Sequence, residues 1–169
     1  MTDDGISQAL KTQCAEQRER CLYTSASLLV WLRLLRQLRV GFVTFPIILG
    51  SVAGWDLLQG QDGSFKTLTA ICAFLAGLVP AIYAALKLDE HLPTVARLAG
   101  EYKNLEIIFG DLQQVGSFKP FAEFEVEYRE ARSRLEQANS EAYTAPQFCF
   151  RRAKKAIEMG HYSFEDSNK

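Results

Sequence analysis

Four cations fall within five positions, Arg151, Arg152, Lys154 and Lys155, and two phenylalanines, Phe148 and Phe150, stand just before them. Positive groups at this density suit an anion: a nucleotide, a nucleic acid or an anionic lipid headgroup. The plainer alternative is a helix with a solvated basic face whose cations favour its own carboxyl end through the dipole. The chain as a whole is not basic. Its 169 residues carry 19 Lys and Arg against 20 Asp and Glu, a net charge of -1, which fits one domain of ordinary size and excludes the strong positive balance of a typical nucleic-acid-binding domain.

The other residues capable of chemistry do not assemble. Cys14, Cys21, Cys72 and Cys149 lack C-x-x-C spacing and His91 and His161 are isolated, so local sequence builds no metal site. Glu123, Glu125 and Glu127 alternate, and on a helix steps of two point away from one another, so they form no acid/base pair. No Walker loop, G-x-G-x-x-G, G-x-S-x-G or H-E-x-x-H is present. The expectation is a protein with no catalytic residues, no cofactor and no metal. An enzyme would need carboxylates or histidines that only the fold brings together.

The informative feature is where charge is missing. Val40 to Trp55 and Thr67 to Leu86 contain no charged residue, giving 16 and 20 uncharged positions. About 20 apolar residues at ~1.5 Å rise cross the ~30 Å hydrocarbon core, so the second run predicts a transmembrane helix. The first reaches 19 residues when extended to Leu58, past Asp56 at the interface. Two buried helices of a soluble bundle would show a polar face, and neither run has one. The first run begins after a charged leader and no small-residue cleavage site follows, so it does not read as a cleaved signal.

Arg33, Arg36 and Arg39 precede the first span and Lys87, Arg97 and Lys103 follow the second, whereas Lys66 alone lies in the connection. The positive-inside bias predicts both termini in the cytoplasm and the loop Asp56 to Lys66, with Gly60 and Gly63 around Gln61 and Asp62, outside. All four cysteines then lie in the cytoplasm or the membrane, where a disulfide framework is not expected. From Val30 to Arg39, Val30, Trp31, Leu34, Leu35 and Leu38 share one side and Arg33, Arg36, Gln37 and Arg39 the other, Leu32 being the exception. This predicts an interfacial helix whose arginines meet lipid phosphates and whose Trp31 sits at headgroup level, the alternative being a cationic face packed on another helix.

Residues 5–22 are polar, with Ile6, Leu10 and Cys14 four apart, and predict a helix packed on the cytoplasmic part. After Pro93, the positions Val95, Leu98, Tyr102, Leu105, Phe109 and Leu112 alternate steps of three and four. Past Gly116 and Ser117 a second set repeats the alternation at Phe121, Phe124, Tyr128, Ala131, Leu135 and Ala138. Two such helices predict an antiparallel hairpin that needs further helical partners, its own or a neighbour's. Pro146 is placed to start a last helix and Gly160 to end it.

Within the spans, Ala73, Gly77, Ala81 and Ala85 recur every four residues and Gly50 and Gly54 form G-x-x-x-G. These stripes let helix backbones approach, either within the chain or between chains. Pro46 and Pro80 lie inside the spans and are candidates for kinks. Two helices cannot enclose a pore, so conduction would require an oligomer.

Taken together, the polar N-terminal helix, the close two-span hairpin, the following helix with Ala96, Tyr102 and Leu105, and the final segment Ala153-Lys154-Lys155-Ala156-Ile157-Glu158-Met159-Gly160-His161-Tyr162 resemble the SLATT family, two-transmembrane effector domains of bacterial anti-phage conflict systems. The resemblance covers nearly the whole chain. It implies a membrane-disrupting or pore-forming effector of the inner membrane, released or assembled when infection is sensed by another protein or nucleic acid. The expectation is therefore an all-α membrane protein with three regions: N-terminal cytoplasmic and interfacial helices (1–39), a transmembrane hairpin (40–86), and a cytoplasmic helical hairpin with a C-terminal helix (87–169). Its partners would be membrane lipids, further copies of itself, and a separate sensor or inhibitor. Its activity would be permeabilisation that arrests or kills the cell. The alternative is a non-toxic membrane anchor or assembly scaffold that recruits a cytoplasmic partner through the helical hairpin.

Overall fold

The computed structural model describes residues 3–59, 66–115, 118–141 and 143–160. Among the described residues the chain is all helical, with no strand: α1 (Asp3–Gln59), α2 (Lys66–Ala85), α3 (Leu88–Gln114), α4 (Phe121–Ser140) and α5 (Gln147–Glu158). It divides into two compact units, one formed by the chain up to Leu32 and from Thr94 onward, the other by Arg33–Pro93. The expected loop residues Gly60, Gln61, Asp62 and Gly63, the break residues Gly116 and Ser117, and His161 and Tyr162 lie outside the described residues.

Separate segments over 5–22, 30–39 and 40–58 are instead one helix of 57 residues. The reason is chemical. Thr24, Ser25 and Ser27 could compete with the helix for backbone groups, yet their hydroxyls donate back to the carbonyls of Arg20, Leu22 and Thr24 at 2.9, 3.0 and 2.9 Å. The two serines are thereby satisfied while buried, and nothing interrupts the ladder. Pro46 and Pro80 also lie within continuous helix, each lacking the amide that would bond four residues back.

The first unit is a bundle of the N-terminal part of α1 with α3, α4 and α5. All six positions of the α3 seam are buried, Val95, Leu105 and Phe109 completely. On α4, Phe124, Tyr128, Ala131 and Ala138 are buried, whereas Phe121 and Leu135 are only half-buried. Polar groups lock the seams in register. The Tyr102 hydroxyl donates to Asn139 Oδ1 (2.7 Å), the Tyr128 hydroxyl to Gln13 Oε1 (2.9 Å), and the Arg134 guanidinium reaches Glu101 Oε1 at 2.7 Å. Arg97 pairs with Glu141. The Arg18 side chain of α1 lies over Gly110 of α3, its Nε 3.4 Å from where a Cβ would stand.

Helix boundaries follow proline and glycine chemistry. Pro120 and Pro146 precede α4 and α5, their carbonyls accepting the first helical amides. After α5, Gly160 takes φ 80°, a left-handed angle that suits glycine. α3 starts at Leu88, five residues before Pro93, and is separated from α2 by Leu86 and Lys87, the latter taking φ 48° without being glycine. A left-handed residue ends the α2 ladder, so the chain restarts as a new helix and absorbs Pro93 close to its start.

Leu105 has no exposed surface, so Leu105→Ala should cost about 2–5 kcal/mol of bundle stability, whereas half-buried Leu135→Ala should cost about half as much or less. Pulse proteolysis of the detergent-solubilised protein across a urea series will rank them; equal losses would mean that the α4 seam is as deep as that of α3.

Candidate membrane-spanning hairpin and cationic faces

The second unit shows what an uncharged run does when it has little to pack on. α1 and α2 are both long and apolar enough to cross a membrane, and almost none of either apolar window is buried. Val40, Ile47, Trp55 and Phe74 are exposed by 64, 63, 65 and 68%. A core helix of a water-soluble protein would have these side chains covered. A large contiguous apolar surface of this kind is unusual on a monomer in water.

The two helices meet along a narrow seam. Phe42, Pro46, Leu49 and Ala53 on α1, and Thr69, Cys72, Ala76, Val79 and Tyr83 on α2, are less exposed and again fall in steps of three and four, with Gly54 and Leu75 less exposed beside them. Phe42 and Tyr83 make a tilted ring contact with centroids 5.8 Å apart. Beside it lies an apolar groove of about 600 Å³ lined by Leu34, Leu38, Phe42, Phe45 and Val79. Arg39 Nε lies 3.1 Å from Asp89 Oδ1, an exposed pair that adds at most about 1 kcal/mol.

The small-residue stripe of α2 is elsewhere. Ala73, Gly77, Ala81 and Ala85 are exposed and off the seam. A Cβ at Gly77, Gly50 or Gly54 would meet nothing within 4 Å. The glycines therefore do not mediate close approach within the chain; the seam uses Ala53 and Ala76 instead. Sequence alone missed this seam because every face of an uncharged run is apolar.

The interfacial segment is divided in use. Arg33 and Arg36 are exposed, and Arg39 is engaged by Asp89. Trp31 donates its indole N–H to the Tyr143 hydroxyl at 3.3 Å and stands edge-on to Phe148 at 6.2 Å, so the bundle supplies its polar partner. Leu32, the exception to the sequence pattern, is buried and continues a stripe from Leu28 to Leu35, whereas Leu38 is exposed. The buried stripe of α1 therefore runs beside the face that apolar periodicity suggested.

On α5, Cys149 and Ala153 are fully buried and Phe148 and Phe150 flank them, against Trp31 and Tyr23. Arg151, Arg152, Lys154 and Lys155 are exposed; Lys154 Nζ approaches Glu158 at 3.9 Å. One buried carboxylate went unnoticed in sequence: Glu106, whose two oxygens each accept from Lys103 Nζ at 3.0 Å. Its place between seam residues Leu105 and Phe109 gave no signal by pattern. Among the described residues no three His, Cys, Asp or Glu side chains are grouped to hold a metal ion. Compared with known proteins, the chain matches no family model, no curated protein and no solved structure.

The thiols are set against reactivity. Burial pushes Cys14 up to about 11, and burial with the nearby Glu106 charge pushes Cys21 up to about 12; burial also raises Cys149, partly offset by Arg152. A rise from 9.0 to about 11 lowers the thiolate fraction about 100-fold at neutral pH, so maleimide should modify Cys14 and Cys21 at least that much more slowly in the folded protein than in urea. The linkage has a defined sign. Above pH 9 the unfolded thiols lose protons that the folded chain holds until about 11 or 12, so bundle stability should fall as pH rises through that window. Mass-spectrometric peptide mapping of the labelled sites measures the rates, and rapid folded-state labelling at either residue would refute the assignment.

Proposed function

We propose that the chain is a regulated inner-membrane effector whose two apolar helices span the bilayer and associate between copies to permeabilise it. The observation that carries this reading is the outward stripe Ala73, Gly77, Ala81 and Ala85, with open space beside Gly77 in the single chain. In lipid, helix association depends on packing, and small residues allow backbones to approach. A stripe left unused by the intrachain seam suits a neighbouring copy. Two spans per copy enclose no pathway, so permeabilisation follows only from assembly. The resemblance to SLATT proteins supports a setting in anti-phage defence, with growth arrest or death as the proposed outcome and a separate sensor or inhibitor as the proposed control.

The scaffold reading is favoured by a different observation. Between α3 and α4 the bundle has a groove of about 470 Å³ with an apolar lining from Ile108, Leu112 and Val115 and charged edges from Lys119, Glu127 and Glu130, suited to an amphipathic partner segment. In that reading the apolar helices only localise the groove.

Orientation is tested first. With both termini cytoplasmic, a cysteine at Gly63, between α1 and α2 in the chain, should react with an impermeant maleimide in spheroplasts, and one at Ser167 should not. The reverse pattern would invert the topology derived from the six-to-one cation bias.

Function is tested by Gly77→Leu with Ala81→Leu. The open space at Gly77 accommodates the larger side chain within one copy, and added apolar atoms favour insertion. Expressed without an inhibitory partner, the wild type should depolarise cells and admit an impermeant dye. The double variant should reach the membrane in equal amount and lose both effects. Equal permeabilisation by both would remove the stripe from the mechanism, and no permeabilisation by an activated wild type would leave the scaffold.

A further inference from the structure

The cations of α5 are not spread evenly around it. Phe148, Arg152, Lys155 and Met159 stand at i, i+4, i+7 and i+11, which aligns them along one flank, with Arg151 beside them. All five are exposed. The opposite side of the helix is committed, since Cys149 and Ala153 are fully buried and Ile157 is half-buried. Lys154 lies away from this flank, toward the side of Phe150 and Tyr23, and has Glu158 nearby. The flank is thus a cationic strip with an apolar side chain at each end.

Two further observations indicate what it meets. On α3, α4 and the turn between them, Arg97, Lys103, Lys119, Arg129, Arg132 and Arg134 each pair with a carboxylate. Among the described residues, Arg151, Arg152 and Lys155 have no carboxylate within 4 Å, so the strip holds uncompensated charge. Moreover, Phe148 at its start rests against Trp31, the last aromatic residue of α1 before the uncharged run at Val40. Exposed Phe and Met at the ends of a cationic strip suit a surface that is anionic outside and apolar just beneath. A single-stranded polynucleotide would complement the charge and stack on Phe148, but would leave the apolar Met159 unused. The geometry points to α5 as an interfacial docking helix, whose Phe148–Met159 flank binds anionic phospholipid headgroups at the surface of the membrane that α1 and α2 are proposed to span. The inference rests on that membrane reading, and gives the basic helix a role distinct from the assembly stripe.

Each cation held near an anionic surface contributes roughly 1 kcal/mol, about fivefold in partitioning, so removing three should weaken docking about 100-fold. The test uses the full chain in nanodiscs of phosphatidylcholine alone or with phosphatidylglycerol. Met159→Cys in a Cys72→Ser background is labelled with an environment-sensitive fluorophore; the remaining thiols, Cys14, Cys21 and Cys149, are buried in the bundle, so the label is selective. Emission should shift to the blue in anionic nanodiscs only, return in 0.5 M salt, and lose the shift in Arg151→Gln/Arg152→Gln/Lys155→Gln. Lys154→Gln should retain it. Protease resistance equal to wild type will verify that the triple variant is folded. Equal emission in both lipids, or an unchanged shift in a folded triple variant, overturns the proposal. A shift produced in phosphatidylcholine nanodiscs by an added single-stranded oligonucleotide, and lost in the triple variant, overturns it in favour of nucleic acid. Resistance of the wild type to carbonate extraction reports the membrane reading separately, so failure of one is distinguishable from failure of the other.

Discussion

The arrangement depends on one constraint: between Val40 and Leu86 the chain carries only three charges, Asp56, Asp62 and Lys66, and its large side chains point outward. Apart from the carbonyls four residues before Pro46 and Pro80, the helical ladders of α1 and α2 run unbroken through the uncharged stretches, which is what an apolar surrounding demands of a spanning segment. They cannot cover one another's side chains, because two helices share only a single seam. Burying a Leu, Ile, Val or Phe removes about 1.5–3 kcal/mol of exposure cost, so a surface with Val40, Val43, Ile47, Ile48, Trp55, Ile71 and Phe74 all open favours an apolar environment by a wide margin. Two helices apolar and uncovered are what the structure provides, and both are long enough to cross a bilayer.

The bundle solves the opposite problem. Its apolar positions are spaced so that α3 and α4 each present a stripe, and it keeps its polar groups satisfied at short range. Ser25 and Ser27 bond to their own helix, Glu106 takes its cation from Lys103 one turn earlier, and the tyrosine hydroxyls of residues 102 and 128 find amide oxygens on other helices. Among the described residues no buried side-chain nitrogen or oxygen lacks a hydrogen-bond partner. A buried polar atom without one costs about 1–3 kcal/mol, so this satisfaction is as much a condition of the bundle as its apolar packing.

Legibility in the sequence tracked contrast between residue types. The α3 seam could be read because charged residues separate its apolar positions, and the limits of α5 because Pro146 and Gly160 constrain φ. The continuity of α1 could not, since Thr24, Ser25 and Ser27 carry the same side chains in a helix that bonds them inward as in a loop that does not. Leu32 sits among arginines and looked misplaced; tertiary contact decides its burial. In the hairpin, contrast disappears altogether. Phe42, Leu49 and Val79 lie on the seam and Val43, Ile48 and Leu78 off it, with nothing in residue type to separate them. The small-residue stripes were visible, but which partner they face was not, because spacing fixes a shared face without fixing its direction.

That direction carries the functional argument furthest. Against lipid, Ala and Gly offer fewer contacting atoms than Leu or Phe, so a small-residue face gains little dispersion energy from acyl chains. Against another helix, the same absence lets the backbones close and bring many more atoms into contact. α2 has one face closed on α1 through Cys72, Ala76 and Val79, and a separate face of Ala73, Gly77 and Ala81 that no part of its own unit fills. The second face thus has more to gain from a second hairpin than from solvent or lipid. A single chain keeps this small-residue face open after its own pairing is complete, which is the property the proposed assembling effector requires and a simple anchor does not.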